Sequence, residues 1–461
     1  FFPSASAAWR VDRENFMDAL KPTLSSLKFR GSYGSLGNQL VYDDNGDPVY
    51  YGYIPTMAPS EAGYIVGGNL PQQVSPPQLV SDNYTWETVE TINFGIDLGL
   101  FEDRLTSTFD IYQRNTTGML TQGKDLPDVL GAAEPNENAA DLQTNGWELT
   151  LSYRNSFMLA GDRFNFDTRF ILSDSRAWIT RFDNPNKNLD QYYVGMEFGE
   201  LWGLESDGFF EKVEQTQALD ETQLIPWGAL SIVPGWPKYI DQDGNGIIEK
   251  GYTVDDPKDA LIVGNTSPRF RFGINLNFNW KGFDVRTFVQ GIGKKDYYPR
   301  HYLYWGFYQQ PYEGGYKHLF DFYRPTDDSE VDLAKHSQAY IDAGFASQNL
   351  DAEYPILQAW LADRNLGEGL NSSKGLATPQ TRYTLSAAYV RIKNITVGYT
   401  LPKKLTQRWN IGRVRLFVSG ENIAEWSEVS DFFDPEAVTD DGWGYAYPFQ
   451  RKLSFGVNID F

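Results

Sequence analysis

The chain has 461 residues, 40 Lys and Arg against 61 Asp and Glu, a formal net charge of −21, no Cys and 3 His. So acidic a balance excludes a phosphate-tracking surface, which needs clustered Lys and Arg to release counterions, and no nucleic acid is expected as a partner. Mean hydropathy is −0.46 and no run of about eighteen apolar residues occurs, which excludes a bundle of transmembrane helices but not a membrane barrel, whose strands need only alternate apolar with polar residues.

Length alone would suggest more than one domain, an expectation that lapses if the chain makes one barrel. The absence of Cys removes disulfides and thiolate chemistry, which suits a protein that crosses an oxidising periplasm unfolded. Aromatic residues are abundant, with 28 Tyr, 30 Phe and 13 Trp, as aromatic girdles or sugar-stacking surfaces require. The sequence opens Phe1-Phe2-Pro3 with no Met, basic segment or apolar signal core, and so reads as a fragment or processed product whose export signal lies elsewhere.

In chain order, a first strand is predicted over 27–35. Ile92, Phe94, Ile96 and Leu98 then alternate with Asn93, Gly95 and Asp97, and a short Glu102-Asp103 turn leads to Leu105, Phe109 and Ile111. Strands follow over 147–153 and 164–172. Phe270, Phe272, Ile274, Leu276 and Phe278 oppose Arg271, Gly273, Asn275, Asn277 and Asn279, and a tight Lys281-Gly282 turn returns the chain through Phe283, Val285 and Val289. The stretch 387–401 changes phase between Ile392 and Ile395, which predicts a bulge, and 414–421 is a further strand. At the end of the sequence, Leu453, Phe455, Val457, Ile459 and Phe461 share one face while Lys452, Ser454, Gly456, Asn458 and Asp460 share the other.

These add up to about a dozen strands, separated by long polar stretches over 36–85, 120–145, 185–265, 308–380 and 424–448. Short loop helices are predicted near 333–343 and 355–362. Short turns on one side and long loops on the other are how all-β transmembrane antiparallel barrels are built. A soluble β-sandwich also alternates its faces, but the Asn, Gly, Ser, Asp and Arg of these polar faces suit a wet lumen.

The spacing Ser454-x-Gly456-x-x-Ile459-x-Phe461 is similar to the C-terminal signal read by the outer-membrane barrel assembly machinery. Segments along the whole sequence resemble SusC-like (SusC/RagA) TonB-dependent transporters. They include the run from Phe2 to Arg10, Leu27-Lys28-Phe29-Arg30-Gly31-Ser32-Tyr33-Gly34 with Gly37-Asn38-Gln39, and Glu90-Thr91-Ile92-Asn93-Phe94-Gly95-Ile96-Asp97. Asn145-Gly146-Trp147-Glu148-Leu149, the run from Tyr389 to Tyr399, and Ser419-Gly420-Glu421-Asn422 continue the pattern. The resemblance implies the C-terminal part, over 1–461, of a barrel of about twenty-two strands, with the N-terminal plug and early strands absent. It further implies outer-membrane lipid around the barrel, a TonB complex reached through the missing plug region, and a SusD-like lipoprotein closing the mouth.

The sharpest chemical motif is Asp241-x-Asp243-x-Asn245-Gly246-x-Ile248, the first half of a calcium-loop pattern with hard oxygens at alternate positions. Asp241, Asp243 and Asn245, with Ile247 at the backbone-carbonyl position, form the candidate Ca2+ set. Tyr252 stands where the pattern asks for Glu, so closure falls to Glu249 or, after an insertion, to Asp255 or Asp256. An Asp/Gly-rich turn without metal is the other reading. His301, His318 and His336 lack the close spacing of a zinc pair, Ser4 and Ser6 lack a nucleophile-elbow context, and no enzyme is expected. The aromatic run Tyr302, Tyr304, Trp305, Phe307 and Tyr308, with Tyr312 and Tyr316, suits a girdle, packing, or sugar stacking, as do Trp443, Tyr445 and Tyr447. The sequence thus reads as a non-enzymatic importer of oligosaccharides, or in second place of peptides. A soluble secreted glycan-binding module and an iron-chelate receptor of the same barrel architecture are the alternatives.

Overall fold

Alternation along one strand makes a two-faced sheet only if the neighbouring strands pair in register. The computed structural model describes residues 2–21, 23–40, 48–57, 59–74, 76–77, 79–122, 129, 135–217, 232–246, 248–326, 336–359, 361–362, 375–438 and 447–461. Two compact units divide the chain, one of Phe1–Lys187 with Gln191–Phe198 and one of Asn188–Asp190 with Gly199–Phe461.

In the first unit six antiparallel strands pair in sequence order: β1 Ser4–Arg10, β2 Leu24–Asn38, β3 Glu87–Leu100, β4 Leu105–Gln122, β5 Asn136–Leu159 and β6 Asp162–Arg181. Their register lines up Trp9, Phe29, Ile96, Phe109, Leu149 and Leu172 in one row across all six strands. The adjacent row, on the opposite face, runs Ala8, Arg30, Gly95, Asp110, Glu148 and Ser173. The apolar face is left uncovered: Trp9, Phe29, Ile96 and Phe109 are exposed, and Phe94 shows 63% of its surface.

The polar face is cross-linked by charge. Arg30 reaches Asp97 through Nε (3.0 Å) and, two strands away, Asp110 through Nη2 (2.8 Å), while Lys28 Nζ lies 2.6 Å from Asp97. Gly95 sits between Arg30 and Asp110, and a Cβ there would lie 2.6 Å from Arg30 Cζ and from Asp110 Oδ1. The glycine therefore leaves the path by which the guanidinium crosses a strand.

The second unit repeats the design with β7 Arg269–Trp280, β8 Phe283–Lys294, β9 Tyr389–Thr400, β10 Arg413–Trp426 and β11 Lys452–Asp460. Arg415 holds Asp284 through Nε (2.8 Å) and Nη2 (2.5 Å), and Gly398 stands opposite Asp284 on the strand between them. A Cβ at Gly398 would lie 2.6 Å from both Arg415 Nε and Asp284 Oδ1. Aromatic rings fill the space over other glycines: Phe417 is paired with Gly456 and covers it, as Tyr112 covers Gly146. Leu416, Val418, Leu453, Phe455, Val457 and Ile459 make the uncovered apolar face of β10 and β11.

The predicted connections take the geometry their residues allow. Lys281 (φ 49°) and Gly282 (φ 84°) are both left-handed, as a two-residue hairpin turn requires, and Ala160 with Gly161 does the same between β5 and β6. The bulge falls at Lys393, where Phe288 pairs with Asn394 and Val289 with Ile392.

Elsewhere the strands outrun their apolar pattern. β5 extends for 24 residues from Asn136, well inside the stretch read as loop over 120–145. Polar pairs carry the ladder there, among them Asp141 with Arg181, joined at 2.7 Å. Ser4–Arg10 forms a strand although its small residues carry no alternation. Of the two predicted loop helices, Gln338–Asp342 is present, with 333–335 outside the described residues. The other is corrected: no helix covers 355–362 among the described residues. Backbone groups there are bonded to distant partners, Ile356 N–H to Gly235 and Ala362 N–H to Tyr308, instead of to the next turn.

The long stretches between β strands of the second unit build a core of their own. Tyr304, Trp305 and Tyr308 are buried with Tyr297, Leu319, Leu361, Leu376 and Tyr383, so this part of the aromatic run packs and does not face outward. Around the aromatic run the polar tips find partners: Trp305 Nε1 donates to the Pro299 carbonyl (2.8 Å), Tyr308 to Pro355 (2.6 Å), and Tyr304 meets the Tyr354 hydroxyl (3.0 Å). That satisfaction is what lets Tyr and Trp occupy a core.

Gly398→Ala should lower unfolding stability by about 1–3 kcal/mol, through loss of the charge-assisted Arg415–Asp284 bonds. Gly63→Ala, where nothing lies within 4 Å of the added Cβ, should stay within about 0.5 kcal/mol of the parent. Denaturant titration of the detergent-solubilised protein measures both.

Candidate functional site

Arg391, in β9, is 1% exposed and faces Glu425 directly across the pairing with β10. A buried guanidinium must be fully paired. Three carboxylates offset its charge: Glu425 in close contact and Asp434 at 2.6 Å both accept from Nη2, and Glu436 lies 2.8 Å from Nη1 and also holds Lys393 at 3.0 Å, while Nε makes no hydrogen bond among the described residues. Asp434 in addition accepts the backbone N–H groups of Phe449 and Glu436, both at 3.0 Å. Burial works to raise its pKa, yet the bonds from Arg391, Phe449 and Glu436 hold the carboxyl below the usual range. The Phe449 ring lies over Lys393 (4.5 Å) and Arg391 (5.4 Å). The segment after β10 is thereby tied back to the sheet.

Above this knot opens a cavity of about 530 Å³, a volume within the ordinary range of small-molecule sites. Tyr316, His318, Phe432, Phe433 and Phe449 supply rings to its wall, and Asn422, Ser430, Asp431 and Arg451 supply polar groups. The imidazole of His318 stacks parallel on Tyr316 at 5.9 Å and takes the edge of Phe432 at 4.8 Å. Its Nε2 lies 2.9 Å from the Tyr304 carbonyl and so donates, and burial pushes its pKa down, which leaves the ring neutral at pH 7.

The acidic loop is ordered by its own backbone. Asp241 accepts N–H groups from Gly244 and Gly246, each at 2.7 Å, and both glycines are left-handed. Asp243 accepts from Asn245. The third carboxylate of the cluster is Asp259, fully buried, which accepts N–H groups from Gln242 and Glu249 at 2.7 Å. Oxygens of Asp241, Asp243 and Asp259 lie within 4.8 Å of one another. Burial pushes Asp259 up, the two N–H bonds pull it back, and the nearby Asp243 and Asp241 push it up again.

Of the predicted ligand set, then, the structure brings together Asp241 and Asp243. Asn245 bonds Asp243 through Nδ2, while Glu249 and Asp255 are not members of the carboxylate group. Glu249 points toward Lys258 at 3.6 Å. Ile247 lies outside the described residues. Asp259 escaped the sequence reading because it falls far beyond any twelve-residue loop, brought back by the pairing of Lys250–Thr253 with Asp256–Lys258. In the terminal motif, Ser454 pairs with Ser419, Gly456 with Phe417 and Ile459 with Val414, and Phe461 is exposed beyond the strand. Tyr447 is exposed; Trp443 and Tyr445 lie outside the described residues.

No family model matches the chain. Over its whole length it is 25% identical to TonB-dependent receptor P3 of Formosa agariphila and 23% identical to TonB-dependent receptor P26 of the same organism. Over 62% of its length it is 26% identical to the TonB-dependent receptor SusC of Bacteroides thetaiotaomicron. The solved RagAB peptide transporter superimposes on all of it with a TM-score of 0.70 at 19% identity. In sequence and fold the chain is similar to SusC-like TonB-dependent receptors. It spans 42% of the length of receptors P3 and P26, 28% of SusC and 43% of the matched RagAB chain. Its antiparallel strands accordingly have the fold of the matching barrel strands in the RagAB chain, and the cavity above Arg391 lies among the interstrand loops.

Removing the guanidinium by Arg391→Ala would leave three carboxylates facing one another and should cost about 3–5 kcal/mol. Arg391→Lys should recover only part of it, because an ammonium lacks the planar fork. Denaturant unfolding together with protease cleavage within 427–449 reads the effect, which a surface role for Arg391 would not produce.

Proposed function

We propose that the protein is a non-enzymatic, TonB-dependent importer of the outer membrane that takes up large nutrients, oligosaccharides first and peptides second, with a SusD-like surface lipoprotein. The observation that carries this reading is the match to TonB-dependent receptors over the whole chain, joined to a sheet with one uncovered apolar face. Every backbone polar group in a bilayer must be met within the protein, which a paired strand wall achieves. The rows of Phe29, Ile96 and Phe109 then meet lipid, and the Arg30–Asp97–Asp110 and Arg415–Asp284 pairs line the wet interior. Energy arrives from the TonB complex through the plug region that the resemblance implies.

Peptide cargo is supported by the likeness to the RagAB peptide transporter. Oligosaccharide cargo is favoured by the aromatic wall of the loop cavity, since rings stack on the C–H faces of sugars. Disruption of the gene encoding the intact transporter should abolish uptake of labelled oligosaccharide by whole cells, and collapse of the proton-motive force should do the same. The protein should co-purify from outer membranes with a SusD-like lipoprotein. Recovery in the soluble fraction without detergent would contradict the importer.

We further propose a hard cation, Ca2+ by preference, at Asp241, Asp243 and Asp259, a grouping of oxygen donors that suits it. The ion's role would be to brace the loop by neutralising three carboxylates. Calorimetry on the intact transporter should show Ca2+ binding that Asp259→Asn weakens at least tenfold. Equal affinity in the variant would leave the loop as a turn held by its own N–H groups.

A further inference from the structure

The cavity above Arg391 has a chemical character that narrows what it can hold. Two of its three carboxylates are already engaged: Glu425 and Asp434 bond Arg391, with Glu436 behind them beside Arg391 and Lys393. The two remaining charges on the lining, Asp431 and Arg451, are of opposite sign, and His318 is neutral. A cationic guest would have to compete with Arg391 for its acids, and an anionic guest would face those acids with only Arg451 to favour it. Either would lose hydration without an equal return.

An uncharged guest meets a better match. Phe449 covers Arg391 and Lys393 with one side and is itself 52% exposed, so part of its ring is free to stack. Tyr316 and Phe432 add ring surface, with Leu303, Val438 and Pro448 between them. Among the polar groups of the wall, Asn422 Oδ1 and Ser430 Oγ make no hydrogen bond among the described residues, which leaves acceptor and hydroxyl capacity beside the rings.

We infer that this cavity is a subsite for a neutral sugar unit, one ring stacked at Phe449 and Tyr316 with its hydroxyls toward Asn422, Ser430 and the compensated carboxylates. The inference rests on the importer reading and adds to it the charge class of the cargo. Neutral oligosaccharides are selected over uronic-acid glycans, amino-sugar cations and peptides with charged side chains.

The test is binding to the intact transporter with its lipoprotein partner in detergent, measured on an array of neutral, acidic and cationic glycans and on mixed-sequence decapeptides, followed by calorimetry on the tightest binder. A neutral oligosaccharide should bind best. Phe449→Ala should weaken it at least tenfold, and Ser430→Ala, which removes a hydroxyl that has no hydrogen-bond partner among the described residues, about threefold with an unchanged melting temperature. Preference for a charged glycan or a peptide, no binding of any neutral glycan, or neutral binding unchanged in both variants would each overturn the inference. Uptake by whole cells separates the two readings. Transport that both variants leave intact rejects the subsite alone, whereas binding without TonB-dependent transport rejects the importer alone.

Discussion

The side-chain period of a strand is two, so a slip of one residue at any seam would carry Phe29, Ile96 or Phe109 to the face that holds Arg30 and Asp110. Most of what the structure does follows from avoiding that slip. Most seams are pinned by a short turn, a bulge or a cross-strand ion pair, and the rows stay straight across six strands in one unit and across β10 and β11 in the other. Two faces of opposite character result, one apolar and one polar.

Glycine has an unusual part in this. On the polar face Gly95 and Gly398 open paths for Arg30 and Arg415 to reach carboxylates beyond the neighbouring strand, and Gly146 and Gly456 receive the rings of Tyr112 and Phe417. A strand glycine ordinarily weakens a sheet. Here the missing Cβ is replaced by a group from the next strand, so the space is filled and the seam gains a registered contact. The glycine of the terminal motif thus has a packing reason independent of any signal it carries.

The two faces, the Lys281-Gly282 turn and the bulge at Lys393 were legible because each follows from local alternation or from backbone geometry that few residues adopt. Strand length was not legible. Where β5 continues through Asn136 to Asp141, it pairs with β4 alone until Asp141 meets Arg181, and no apolar period marks it. Sites made by distant segments were equally hidden. Asp259 joins Asp241 only because an intervening hairpin folds back, and the Arg391 knot needs Asp434 and Glu436 from the far side of β10. The buried Tyr304, Trp305 and Tyr308 could be read as girdle, packing or stacking from sequence, since the choice depends on partners such as Pro299, Tyr354 and Pro355.

An importer of this build requires the apolar face to meet lipid and the polar face to meet water. The chain has no Cys, so single cysteines placed in it can be spin-labelled in the intact transporter, with any cysteine outside this chain replaced by serine, after reconstitution into liposomes. Labels at Phe94, Phe109 and Val457 should collide with lipid-dissolved oxygen, and labels at Glu148, Ser173 and Asn458 with a water-soluble nickel chelate. Equal access of the chelate to both sets would contradict a membrane wall and with it the importer.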